Sequence, residues 1–252
     1  MANPHAQEPW SARFDWGPVG AETLAGASDL VAVVDVLSFT TALTVAVDRG
    51  IEVFPFRWRD ERAERFAQDR DAVLAVGRSA ARPGRISLSA GTIRAAGPVR
   101  RLVLPSPNGS TIAQDVAATG TTLIGVSLRN ATAAAEWTRN RLAAVRGASV
   151  SVIAAGERWP DGSLRPAVED LWGAGAYLAA LDAQGFGSFS PEAFSAAAAH
   201  RAVAGDLPAR LRASASGREL VDGGFADDVE IAAEVDASIA VPLLREESFT
   251  AA

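Results

Sequence analysis

Residues 29–43 read DLVAVVDVLSFTTAL. The run from Leu30 to Val34 is short, unbroken and rich in valine, so neither of its faces is meant for water. It predicts a strand buried on both sides. Asp35 ends the run, and Ser38, Thr40 and Thr41 follow it into a helical pattern over 39–49. The same grammar recurs along the chain. IEVFPF (51–56), AVLAV (72–76), RLVLP (101–105), TTLIG (121–125) and SVSVIAAG (149–156) are further short apolar runs that end in polar or glycine-bearing turns. Helical patterns over 39–49, 60–69, 110–119 and 130–146 lie between most of them. Strands alternating with helices predict an α/β fold, a mainly parallel or mixed sheet flanked by helices.

RFDWGPVG (13–20) is read as an additional edge strand that Pro18 and the glycines stop, and SIAVPLL (238–244) as the last strand. Residues 78–98, rich in Gly, Ser, Ala and Pro, read as a long irregular loop over the site. From about 166 the pattern turns helical, either as a layer on the sheet or as a smaller lobe. A single domain over 13–246 follows, with tails at 1–12 and 247–252.

The chain has 252 residues, 48% of them hydrophobic and 21% charged. That is enough to bury a real core, and it argues against disorder. A net charge of −6 speaks against a general nucleic-acid binder, which needs a basic face. There is no cysteine, which removes disulfides, thiolate nucleophiles and Cys-type metal sites. There is no lysine either, which removes Schiff-base chemistry and the P-loop. The two histidines, His5 and His200, are too isolated to build a His-rich metal site. The start, MANPHAQEPW, lacks a basic region followed by an apolar stretch, and no apolar run reaches about 18 residues. These features point to a cytoplasmic protein with no membrane partner. Six tryptophans can serve a core or an interface, so a homo-oligomer, a dimer ahead of larger states, is compatible with the sequence.

In open α/β sheets, ligands bind at the carboxyl ends of strands, where helix N-termini present free N–H groups. Four strand ends here carry unusual polar content. VVDVLSFTTAL offers Asp35 for a hard cation, with Ser38, Thr40 and Thr41 behind it for an anion; helix capping accounts for the same residues. LVLPSPNGSTIA offers Ser106, Asn108, Gly109 and Ser110, as an anion site or as a tight turn with a cap. IGVSLRNATAAAEW offers Arg129 as an anion partner, beside Asn130, which is equally a good cap. VIAAGERWPDGSLRPAVEDLWGAG offers Glu157, then Glu169 and Asp170 just inside the next helix, where acids also complement the dipole. If these strands are neighbours, the acids stand beside Asp35.

Oxygen ligands without His or Cys select Mg²⁺ over zinc. Magnesium beside a phosphate pocket implies phosphoryl transfer or hydrolysis. Asp35, Glu169 and Asp170 are the candidate metal ligands, and Asp35, Glu157 and Asp170 the candidate catalytic groups. Other phosphatase chemistries do not fit. The haloacid-dehalogenase pattern needs an aspartate two residues after the nucleophile, and Leu37 stands two residues after Asp35. The cysteine of tyrosine phosphatases and the Arg-His-Gly of histidine phosphatases are missing, as is the dinucleotide pattern G-x-G-x-x-G after the first strand.

Taken in order, VVDVLSFTTAL, VLPSPNGSTIA, SLRNATAAA, AAGERWPDGSLRPAVEDLWGAGAYLAAL and SASGRELVDGGFADDVEIAAEVDASIAVPLL resemble the 2-phosphosulfolactate phosphatase family, known from coenzyme M biosynthesis. The likeness covers roughly 13–244. It implies a magnesium-dependent phosphatase of a small phosphorylated acid, with that family's own α/β fold. It carries over Asp35, Asn108, Gly109, Asn130, Glu169 and Asp170 as motif residues. Two motif arginines are replaced. The family pattern Asp-Val-Leu-Arg-Ala-Thr-Thr has Ser38 and Phe39 here in place of Arg-Ala, and Asn-Gly-Thr-Arg has Ser110 and Thr111 after the glycine. Arg78, Arg85, Arg94, Arg129 and Arg158 are the candidate replacements. The residues also leave open a phosphatase for another phosphorylated hydroxy acid, and a non-catalytic anion-binding protein on the same scaffold.

Overall fold

A computed structural model describes residues 3–57, 61–82 and 84–252. Trp58 and residue 60, the expected start of the second helix, lie outside them. In chain order the elements are β1 (Ala12–Trp16), α1 (Gly17–Leu24), β2 (Leu30–Val34), α2 (Phe39–Asp48), β3 (Glu52–Phe56), α3 (Glu61–Asp69), β4 (Val73–Leu74) and α4 (Ala90–Ala95). β5 (Arg101–Pro105), α5 (Gly109–Ala117), β6 (Thr122–Val126), α6 (Ala131–Leu142), β7 (Val150–Ala154), β8 (Glu157–Arg158) and β9 (Leu164–Arg165) follow. The chain ends with α7 (Val168–Ala183), α8 (Pro191–Val203), α9 (Leu207–Ala213), α10 (Ala215–Asp222), α11 (Ala226–Ala232), β10 (Pro242–Arg245) and β11 (Ser248–Ala251).

The fold is mixed α/β. Its large sheet runs β1-β7-β2-β6-β10-β11-β3-β5-β4, and β8 and β9 form a small separate hairpin. The neighbours within β1-β7-β2-β6 are parallel, as are those within β3-β5-β4. The antiparallel hairpin β10–β11 joins these two parallel halves, through Leu243 opposite Ile124 and Phe249 opposite Val53. Every residue of β2 and β7 is buried, as unbroken apolar runs require when helices cover both faces.

Two crossovers tie the halves together. α2 carries the chain from β2 to β3, and α5 brings it back from β5 to β6. Both helices therefore begin at strand ends near the place where the direction of winding reverses, the usual ligand crevice of an open α/β sheet. α7 covers the other face and packs on β7, β2 and β6. It comes so close that a Cβ on Gly173 would collide with Val36. Val34, Ala154, Tyr177, Leu211 and Val229 belong to one apolar cluster, so the C-terminal helices share a core with the sheet.

Three expectations need correction. Residues 248–251, expected in a tail, form β11 inside the sheet, because Phe249 is fully buried and packs edge-on against Phe39. The expected strand over 238–244 starts only at Pro242, because the Ser238 hydroxyl is tied to Asp48 and Ile239 faces solvent. The expected irregular loop over 78–98 contains α4, which Ser89 caps by accepting the Thr92 N–H. Among the described residues, no helix is long and apolar enough to cross a membrane.

Candidate active site

Asp35 stands at the end of β2, and a hydroxyl clasp sets its direction. The Thr40 Oγ1 accepts the Asp35 N–H at 2.9 Å and donates to the Asp35 carbonyl at 2.9 Å. Thr41 Oγ1 donates to the Val36 carbonyl at 2.6 Å. The Asp35 carboxylate then accepts the Gly109 N–H at 3.1 Å and an N–H from Phe39. Phe39 opens α2 and Gly109 opens α5. The positive ends of two helix dipoles thus converge on one buried carboxylate.

Gly109 is required by this approach, since a Cβ there would lie 2.6 Å from Phe39 Cδ1 and 2.7 Å from Asp35 Oδ2. The turn before it contributes Asn108, whose amide donates to Glu157 at 3.1 Å. Glu157 begins the β8–β9 hairpin after β7. Asp170, in the first turn of α7, accepts the Val36 N–H at 2.7 Å and the Gly156 N–H at 2.9 Å. Beside it, Glu169 is only 2% exposed, and no hydrogen bond to it appears among the described residues. The ends of β2, β5 and β7 and the start of α7 thereby meet, and the fold brings together Asp35, Asn108, Gly109, Glu157, Glu169 and Asp170.

Burial, with the repulsion of neighbouring carboxylates, raises the proton affinity of Asp35, Glu157 and Asp170. Burial first, then the Glu157 charge, pushes the Asp35 carboxyl up to about 7, although the Phe39 and Gly109 N–H groups and Arg78 pull it down. Burial and the charges of Asp35 and Glu169 push Asp170 well above the usual carboxylate range. Burial also raises Glu157, against the opposing charge of Arg165. Buried carboxylates of like sign are expensive unless a cation joins them.

The remaining sequence candidates divide. Thr40 and Thr41 brace the turn that carries Asp35, and are not free donors. Ser110 is fully buried and its hydroxyl donates to the Leu104 carbonyl at 2.9 Å. Among the described residues the buried Ser106 hydroxyl has no partner, and Ser38 is half-buried with no side-chain capping bond. Arg129, expected to meet an anion, is instead buried in ion pairs with Glu234 and Asp48. Asn130 is also turned to structure: it closes a capping box with Ser127, and its amide donates to the Gly125 and Ala240 carbonyls. The Ser-x-x-Asn spacing at 127–130 is the signal for that cap.

Among the proposed replacement arginines, Arg94 also pairs with Glu234, and Arg158 bonds within its own hairpin at Gly162. Arg165 is a site residue that the sequence does not single out. It donates to Ser216 and its charge acts on Glu157. Nothing local in the sequence marks it, because only the β8–β9 pairing folds it back toward Glu157.

Among the described residues, no three carboxylate or imidazole side chains form a ready-made metal cage. The donor chemistry nevertheless suits a hard cation: every available ligand is an oxygen, and no hydrogen-bond donor to the buried Glu169 appears among the described residues. Magnesium takes one or two carboxylates and completes its shell with water and substrate phosphate, so it needs no protein cage.

Comparison with known proteins gives the family. A family model described as 2-phosphosulpholactate phosphatase matches residues 20–247. A Thermus thermophilus protein that carries the name "Probable 2-phosphosulfolactate phosphatase" is 33% identical over 225 residues, 86% of this chain and 88% of that protein. The chain belongs to the 2-phosphosulfolactate phosphatase family, and with it to the phosphoric monoester hydrolases.

Proposed function

We propose that the enzyme hydrolyses 2-phosphosulfolactate to sulfolactate and inorganic phosphate, with Mg²⁺ held by Asp35 and Glu169 and supported by Asp170. The observation that carries this reading is the group of buried acids at the point where two helix N-termini meet. Bound there, the cation would neutralise phosphoryl oxygens and lower the pKa of a ligated water. The converging ends of α2 and α5 favour the phosphoryl group electrostatically.

Asp170 holds the 36–37 turn and the Gly156 turn in register through its two N–H bonds, so it fixes the spacing between Asp35 and Glu157. Glu157, half-buried with a raised proton affinity, serves as the general acid. As water attacks phosphorus, the ester P–O bond breaks and the Glu157 proton passes to the leaving oxygen of the hydroxy acid. The proton lost by water goes to a neighbouring carboxylate. Asn108 orients Glu157 for that transfer.

A panel of phosphorylated hydroxy acids, assayed for inorganic phosphate with Mg²⁺ and with EDTA, tests the reading. Release from 2-phosphosulfolactate ahead of the other members, and only with Mg²⁺, is expected. Release from another member alone rejects the substrate, and equal release in EDTA rejects the metal. No release from any member rejects hydrolysis.

A further inference from the structure

Arg78 lies after β4 and far from Asp35 in sequence, yet its charge acts on the Asp35 carboxyl. The guanidinium is fixed at two points. Nε donates to Asp228 Oδ2 at 2.9 Å, and Nη2 donates to the Leu37 carbonyl at 2.8 Å, one residue before Ser38. A guanidinium has five N–H donors in a rigid fork. Two are used here, and no partner for the others appears among the described residues. The side chain is 19% exposed, so it is held within the wall but still reachable.

Its anchor is itself rigid. Asp228, on α11, is 4% exposed and also accepts from the Ser89 hydroxyl at 2.6 Å and the Gly91 N–H at 3.0 Å. All three donors come from the 78–91 segment. A clamp between α11 and that segment would be complete with the Asp228 bonds alone. The additional bond to Leu37 turns the fork toward the loop that carries Asp35. A polyanionic substrate at a cluster of buried acids needs fixed positive charge.

We infer that Arg78 binds an anionic oxygen of the substrate at the Asp35 junction, and that Asp228 positions it. The inference rests on the phosphatase reading above and deepens it. Ser38 directly follows the carbonyl that Arg78 grips and carries no charge of its own. The cation beside position 38 is thus supplied from a loop distant in sequence.

The test compares the parent with Arg78→Ala, Arg78→Gln and Asp228→Asn, and with the double variant Ser38→Arg/Arg78→Ala. Two quantities are read: KM and kcat for 2-phosphosulfolactate, and the Kd of inorganic phosphate with Mg²⁺ by calorimetry. Loss of one charge-assisted contact predicts a rise of about 10- to 100-fold in KM and in the phosphate Kd for the Arg78 variants, with a smaller change in kcat. Asp228→Asn moves the same quantities by a smaller factor. The added arginine at 38 recovers at least about tenfold of the loss. A purely structural Arg78 would lower the melting midpoint and leave KM and Kd in place.

Arg78→Gln, which keeps a donor for Asp228 or Leu37, decides the matter if Arg78→Ala does not fold. Its KM and Kd within about twofold of the parent would overturn the assignment, as would failure of the arginine at 38 to restore either. If the parent does not hydrolyse 2-phosphosulfolactate but binds phosphate through Arg78, the substrate reading falls and Arg78 stands. If the parent hydrolyses it and Arg78→Gln does so with unchanged KM, the reverse holds.

Discussion

Gly109→Ala is the sharpest probe of the convergence at Asp35. The added methyl would lie 2.6 Å from Phe39 Cδ1 and 2.7 Å from Asp35 Oδ2, where ordinary contact begins near 3.4 Å. Neither neighbour can give way. Phe39 is fully buried against Phe249, and Asp35 is held by its two N–H donors. The start of α5 must therefore retreat and stretch the 3.1 Å bond from Gly109 N–H to Asp35. Overpacking costs about 1–3 kcal/mol, and weakening a hydrogen bond to a charged group adds about 1–2 kcal/mol. In a chain of this size each kcal/mol lowers the melting midpoint by about 2–4 °C, so a fall of roughly 5–15 °C is expected. Activity is expected to fall further, by about 100-fold, because the reacting groups depend on sub-ångström placement. Gly97→Ala is the control, since a Cβ at that position would meet nothing within 4 Å. Thermal denaturation and phosphate release on both variants give the answer. A Gly109→Ala protein as stable and as active as Gly97→Ala refutes the reasoning.

Other outcomes follow from the same geometry. Phe249→Ala removes a fully buried ring from the hairpin that joins the two half-sheets; urea unfolding is expected to show a loss of about 3–5 kcal/mol, and a loss under about 1 kcal/mol would contradict a central β11. Asn130→Ala leaves the Ser127 N–H and two carbonyls without their partner, so stability is expected to drop by about 2–4 kcal/mol while KM stays unchanged; a large rise in KM with stability intact would return Asn130 to the site. The folded pKa of Asp35 is raised from 3.8 to about 7, so the metal-free fold holds a proton that the unfolded chain releases. Stability from this group is full below about pH 4 and is lost as pH rises through about 7, by up to about 4 kcal/mol. Asp170 and Glu157 act in the same direction. Melting midpoints in EDTA are therefore expected to decline from pH 5 to pH 8 less steeply in Asp35→Asn than in the parent, and Mg²⁺ to raise the parent's midpoint more at pH 8 than at pH 5. Equal slopes, or an Mg²⁺ effect independent of pH, would count against a shared proton and cation site.

The strands were readable because burial on both faces leaves an unbroken apolar run, as in Leu30–Val34 and Val150–Ala154. The hairpin at the C-terminus was not. Its turn, Glu246-Glu247, is polar, and only the single aromatic Phe249 hints at a buried strand beyond it. The approach of Asp170 to Asp35 was conditional on β7 lying beside β2, which their register supplies. Side-chain direction was beyond reach. Thr40, Thr41 and Ser110 look the same in sequence whether they face a ligand or clasp their own backbone. Arg129 read as a spare cation because its partners, Asp48 and Glu234, lie 81 and 105 residues away. Arg78 reads like the other candidate arginines for the same reason, since its partner Asp228 lies 150 residues further on.

Steady-state phosphate release from 2-phosphosulfolactate by Asp35→Asn, at saturating Mg²⁺ and beside the parent, bears most directly on the whole account. The substitution keeps the shape of the side chain and an acceptor for Gly109 N–H while removing the charge at the meeting point of α2 and α5. A fall in kcat of about a thousandfold or more, in a protein that still folds, is the predicted result. Turnover within a few-fold of the parent would mean that the chemistry lies elsewhere.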